Sequence, residues 1–176
     1  FAAARENSRY AINGVLLVRD GKKLDLIATD GRRLAKSHAT IDSKGDPAQC
    51  ILPSKALSMI QKMTADENEL VHIAVTDNQA VIVFGEDPTD ARATLSTNLV
   101  EGTFPPYEDV IPKDQDIKVT FKREVLASAV KRAALLTNEE SRGVRLAFNG
   151  GEKSLELSSR APEMGEATIN VELTSY

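Results

Sequence analysis

Residues 50–63 read Cys-Ile-Leu-Pro-Ser-Lys-Ala-Leu-Ser-Met-Ile-Gln-Lys-Met, a short apolar strand running directly into an amphipathic helix. Cys50 to Pro53 is the strand, and Ser54 is expected to cap the first free amides of the helix with its hydroxyl. At 100° per residue Ala56, Leu57, Ile60 and Met63 share one face, while Ser54, Lys55, Ser58, Gln61 and Lys62 share the other. Beyond the helix the period changes to two. Glu69 to Thr76 places Val71, Ile73 and Val75 on one side and His72 and Ala74 on the other. Ala80 to Phe84 follows an Asp77-Asn78 turn, and Ala91 to Thr97 alternates again. The unit is βαβββ.

The same order returns downstream: a strand at Ile117 to Phe121, a helix at Lys122 to Thr137, then strands at Val144 to Phe148, Ser154 to Ser159 and Ala167 to Leu173. It also fits the beginning of the chain, with a helix at Phe1 to Arg9 and strands at Ala11 to Val18, Leu24 to Thr29 and Arg33 to Thr40. At one common offset Leu24 and Leu26 fall in step with Leu155 and Leu157, and Val15 and Leu17 with Leu146 and Phe148. Three related units are expected, in an α+β fold of antiparallel sheets. Two close a first domain over residues 1–112, whose end is marked by the prolines between Phe104 and Pro112. The third begins a second domain over residues 113–176.

Composition bounds the function. Aromatic residues make up 5% of the chain and Trp is absent, so Leu, Ile, Val and Ala must build the core. The single Cys50, next to Ile51 and Leu52, rules out an internal disulfide and is expected in the core of a protein of the reducing cytoplasm. No apolar run reaches the ~18 residues that cross a bilayer. The net charge is −4, yet the three helical stretches are net positive, and the helix from Ser54 carries two lysines and no carboxylate. Basic helices on an acidic body make a segregated field suited to one polyanion, and Lys, Ser and Gln on one face suit phosphates approached without base reading. In the helix from Lys122, Leu126, Ala129, Ala133 and Leu136 form the buried stripe. Leu135 falls outside it, a candidate subunit contact.

A second feature is the run Ala28-Thr-Asp-Gly-Arg-Arg-Leu-Ala35. Asp30-Gly31 is a hairpin signal, both residues being expected at φ > 0. Just beyond it Arg32, Arg33 and Leu34 set cationic donors beside an apolar side chain. Catalytic templates are otherwise missing: no GxGxxG, P-loop, GxSxG or HExxH occurs. His38 and His72 have no neighbouring His or Cys, so no metal is expected. Asp87, Asp90, Glu139 and Glu140 read as solvated surface. Asp30 with Arg33 leaves open a small α+β enzyme, and the hairpin leaves open a peptide-binding adaptor unrelated to DNA.

Tyr10 to Leu16 with Ala28 to Ala35, Glu101 to Pro112 and Leu135 to Leu146 together resemble, in order and spacing, the β subunit of bacterial DNA polymerase III, the sliding-clamp family. The resemblance implies the DNA-clamp fold with helices on the channel side of the sheets, and a fragment that begins within the first helix of the middle domain and ends halfway through the third. It implies a non-enzymatic processivity factor: a head-to-tail homodimeric ring around double-stranded DNA, without cofactor or metal. The ring would be held on DNA by topology and weak backbone contacts, bound to no membrane. It further implies a pocket for linear motifs of the polymerase III α subunit, the clamp loader and repair polymerases. Matched residue by residue, Ile12, Thr29, Gly31, Arg32, Arg33, Leu34, Pro105 and Val110 would line the pocket. Tyr10, Lys55 and Lys62 would face DNA, and Leu135 and Leu136 would belong to the dimer interface. Arg32 stands where His is common in the family, Ala11 where a second aromatic is usual, and Asp109 where some relatives carry a basic residue.

Overall fold

The computed structural model describes residues 1–5, 10–42, 45–137, 143–162 and 164–175. The chain forms two compact units, Phe1–Ile111 and Pro112–Tyr176.

In the first unit β1 (Gly14–Asp20), β2 (Lys23–Thr29), β3 (Leu34–Thr40) and β4 (Ala48–Pro53) make an antiparallel sheet in the order β3-β2-β1-β4. Helix α1 (Ser54–Met63) follows, then β5 (Val71–Val75), β6 (Gln79–Phe84) and β7 (Ala93–Asn98), a second antiparallel sheet in chain order. Leu17 and Leu52 from the first sheet, Ala80, Ile82 and Phe84 from β6, and Leu57, Ile60 and Met63 from α1 share one core. The opposite face of the first sheet is covered as well. Leu16, Ile27 and Ile51 lie beneath Val100, Phe104 and Tyr107 of the segment after β7. A strand buried on both faces needs an unbroken apolar run, which is why β1 contains Val15-Leu16-Leu17-Val18 rather than an alternation.

In the second unit α2 (Arg123–Ala133) leads through a 3-10 turn, Ala134–Leu136, to β8 (Arg145–Asn149), β9 (Ser154–Ala161) and β10 (Gly165–Glu172), ordered β10-β9-β8. Ala129 and Ala133 of α2 lie on Leu155 and Leu157 of β9 and Val171 of β10.

Several sequence expectations need correction. Phe1 to Arg5 are not helical, and the Ala4 amide donates to the Ile12 carbonyl at 2.8 Å; the rest of that expected helix, residues 6–9, lies outside the described residues, as do Glu139 and Glu140. Ser54 makes no cap. Pro53 is the N-cap residue, and the Ser54 hydroxyl donates to the Asn13 carbonyl at 2.9 Å. Ile117 to Phe121 is not a strand but a single bridge, Thr120 to Ser175. The offset match keeps faces but not register. Leu26 faces Leu17, whereas Leu157 faces Leu146. The β1–β2 loop holds two residues and the β8–β9 loop four, and a shift of two leaves each side chain on its face. Burial differs too: Leu17 is core, while Leu146 and Phe148 on β8 are 41% and 44% exposed. Cys50 is half-buried against the first core, and desolvation pushes its thiol pKa up, as for an inert packing residue.

Candidate functional site

The β2–β3 hairpin closes at the pair Thr29 and Leu34, leaving a four-residue loop, Asp30 to Arg33. Only Gly31 takes positive φ, at 86°, so the two-residue turn with both members left-handed is replaced by a longer loop held by side chains. Asp30 Oδ1 accepts the amides of Arg32 and Arg33, each at 3.0 Å. Thr29 Oγ1 accepts the Gly31 amide at 3.1 Å and donates to the Arg33 carbonyl at 2.8 Å. Arg33 Nε donates to Asp30 Oδ2 at 3.0 Å, and its Nη2 donates to the Phe1 carbonyl at 3.0 Å. The Asp30 carboxyl is held below its ordinary range, first by the Arg32 and Arg33 amides and then, against some desolvation, by the Arg33 guanidinium. With its oxygens engaged this way, Asp30 is turn chemistry, not a poised acid or base.

Leu34, Lys36 and His38 share a face of β3 with Thr29, Ile27 and Asp25 of β2. Leu34 is half-buried and, like Phe104 and Tyr107, packs against the core of Ala11, Leu16, Ile27 and Ile51. The stretch that brings Ile12 into place is joined to the covering segment by the Ala11 amide, which donates to the Thr103 carbonyl at 3.3 Å. Ile12 itself is 8% exposed, so little of it remains to contact a ligand. Pro105 is half-buried. Val110, in the 3-10 turn Glu108–Val110, is 67% exposed and offers the largest free apolar surface among the matched residues. Arg32 and Gly31 are exposed at the loop tip. The eight matched residues thus fall on the hairpin end, the entry to β1 and the segment 105–110. A cleft of about 630 Å³ lies elsewhere, between β4, the Asp77-Asn78 turn and residues 99–109, and shares only Pro105 with this set.

A group of residues that sequence reading passed over lies on the same face. Asp25, 7% exposed, accepts Lys23 at 3.0 Å and Lys36 at 3.2 Å through one oxygen, and the Lys36 ammonium sits 5.3 Å from the centroid of the Tyr107 ring. The one available signal was a lone acid in the apolar run Leu24-Asp25-Leu26-Ile27.

Elsewhere in the first unit, Lys55, Ser58, Gln61 and Lys62 form the exposed side of α1, and Ala56 is buried. Tyr10 is 42% exposed. In the second unit Leu135 is 75% exposed and Leu136 half-buried, in the 3-10 turn after α2. Among the described residues no cluster of three or more His, Cys, Asp or Glu could hold a metal. No helix there is long and apolar enough to cross a membrane.

Comparison with known proteins gives a consistent picture. Residues 1–106 match the family described as DNA polymerase III beta subunit, central domain, and residues 108–175 match its C-terminal domain. The beta sliding clamp of Chlamydia pneumoniae is 36% identical over 172 residues, covering 97% of this chain and 44% of that protein. The beta sliding clamp of Escherichia coli K12 is 30% identical over 174 residues, covering 99% and 45%. A crystal structure of the DNA polymerase sliding clamp from Pseudomonas aeruginosa superimposes with a TM-score of 0.85 at 33% identity, covering 98% of this chain and 46% of that one. The chain therefore spans under half the length of the relatives it matches, and its α+β arrangement is that of part of a sliding clamp.

Proposed function

This chain belongs to the DNA polymerase III beta subunit family, and we propose that it supplies a peptide pocket and part of the channel wall of a sliding clamp. The assembled protein is a non-catalytic processivity factor of the cytoplasm, a homodimeric ring around double-stranded DNA. It raises the length synthesised per binding event by keeping the polymerase at high local concentration. Residues 1–112 act as its middle domain and residues 113–176 as the first half of its C-terminal domain. Linear motifs of the polymerase III α subunit, the clamp loader and repair polymerases dock on Leu34, Pro105 and Val110, with Gly31, Arg32 and Arg33 as polar rim and Thr29 and Ile12, each 8% exposed, as support beneath. Tyr10, Lys55 and Lys62 meet the phosphate backbone without reading bases, and Leu135 and Leu136 meet the second subunit.

The observation that supports the pocket most directly is the hairpin end itself. Four polar bonds between Thr29 and the loop Asp30 to Arg33, or within that loop, fix the hairpin end from which Leu34 leads, and Leu34 packs on the same core as Phe104 and Tyr107 of the segment that carries an exposed Val110. The same bonds weigh against the enzyme reading, since they occupy Asp30. The test is affinity for a short peptide containing Gln and Leu/Phe, measured on the intact clamp. Leu34→Asp is expected to abolish binding with the circular-dichroism spectrum and Tm retained, and an unchanged affinity would sink the assignment.

A further inference from the structure

Between Phe104 and Ile111 the backbone hydrogen bonds among the described residues are local ones: the Val110 amide donates to the Tyr107 carbonyl and the Ile111 amide to the Glu108 carbonyl, both at 3.4 Å. Nothing in the ladder of the sheet holds Pro105 and Val110, so side chains must. Phe104 and Tyr107 are the anchors, edge to face with centroids 6.4 Å apart. Beneath Tyr107 stands Lys36, two residues beyond Leu34 on the same face of β3. Its ammonium is fixed at the other side by Asp25, whose second oxygen is buried without a partner. Asp25 is buried but the Lys36 side chain is a third exposed, 33% against 10%, and an ion pair so open to solvent is a poor source of stability. It is a good device for fixing position: a cation tied to a buried carboxylate can hold a ring only over one place.

We infer that Lys36 is a positioning residue for motif capture. Tied to Asp25, it pins the Tyr107 ring, and Tyr107 sets the turn that presents Val110. The inference rests on the peptide-pocket reading above. Glu108, the next residue along, adds a further negative charge near the same ammonium.

The experiment measures affinity for the same short peptide on the intact clamp, with Tm for each variant and the 19F resonance of fluorotyrosine placed at position 107. Lys36→Met keeps the aliphatic stem and removes the charge. It is expected to weaken binding about three- to tenfold and to move the resonance. Lys36→Arg, which can both pair with Asp25 and stack on the ring, is expected to bind like the parent. Should Lys36→Met fail to fold, the ring carries the test: Tyr107→Phe is expected to bind like the parent and Tyr107→Leu to be weakened. Parent-like affinity in folded Lys36→Met or Tyr107→Leu overturns the inference, as does equal weakening in Lys36→Met and Lys36→Arg. Loss of binding in the parent protein itself instead overturns the pocket reading, which separates the two failures.

Discussion

Asp30 and Arg33 are bound to each other twice, the carboxylate accepting both the Arg33 amide and the Arg33 Nε at 3.0 Å. The backbone bond and the ion pair act on the same loop, so the carboxylate organises the turn while it orients a guanidinium at the rim of the proposed pocket. One consequence is a pH dependence of known sign. Because the folded carboxyl is held below its ordinary value of 3.8, its contribution to loop order is complete above that value. It is lost as pH falls through the lower, folded one. Amide resonances of Arg32 and Arg33 followed by NMR should titrate with a midpoint below 3.8; a midpoint at or above it would mean the loop bonds do not form in solution.

In the second unit the Ser159 hydroxyl, buried, donates to the Ala133 carbonyl at 2.6 Å at the end of α2. Ser159→Ala removes that partner from a carbonyl at the helix end and should cost about 1–3 kcal/mol in chemical unfolding. Ser158, one residue earlier and on the opposite face of β9, is the control, expected within about 0.5 kcal/mol of the parent as Ala. Equal effects at both positions would mean the bond contributes nothing specific.

What could be read from the chain beforehand divides along the range of the interaction. The faces of α1 were legible because Ala56, Leu57, Ile60 and Met63 declare themselves within three turns, and so was the exposure of Leu135, which lies off the stripe of α2. The role of Ser54 was not, since its hydroxyl partner, the Asn13 carbonyl, is 41 residues away and nothing local competes with a cap. The hairpin at Asp30-Gly31 was legible as a hairpin. Its loop length was not, because Asp30 served as a side-chain acceptor instead of taking positive φ. Asp25, Lys36 and Tyr107 were hidden for the same reason as Ser54: an acid in β2, a base in β3 and a ring after β7 meet only when the sheet is folded and covered. The eight matched site residues were reached through resemblance, and Val110 above all would have been missed by any argument from apolar patterning, because it is one exposed valine in a turn.

Gly14, at the start of β1, has ordinary backbone dihedrals, so its freedom to adopt positive φ is not what the position uses. It uses the missing side chain. A Cβ there would stand 2.6 Å from the Leu52 carbonyl oxygen and 2.7 Å from Ile51 Cγ2, with Val100 Cγ2 at 3.1 Å. The carbonyl belongs to the β1–β4 pairing and cannot swing away as a flexible side chain could. Gly14→Ala should therefore destabilise the first unit by about 1–3 kcal/mol, seen as a lower urea midpoint at unchanged slope; parent-like stability would show that β4 can shift to make room.

Lys55 separates what the helix needs from what the proposed ring needs. It lies in the first turn of α1, where the macrodipole disfavours a cation and where no acidic residue is found. Helix stability thus gives no reason for a lysine there, whereas Lys62 in the last turn is favoured by the dipole. If both meet DNA phosphates, Lys55→Glu should raise thermal stability by about 0.3–1 kcal/mol and yet shorten retention of the intact clamp on circular DNA. Lys62→Glu should lower both. The retention defects should shrink as salt rises from about 0.1 M to 1 M, over which the screening length falls from about 10 Å to about 3 Å. A Lys55→Glu clamp that gains stability and keeps its low-salt retention would remove α1 from the channel wall, since the charge would then have been reversed without any phosphate registering it.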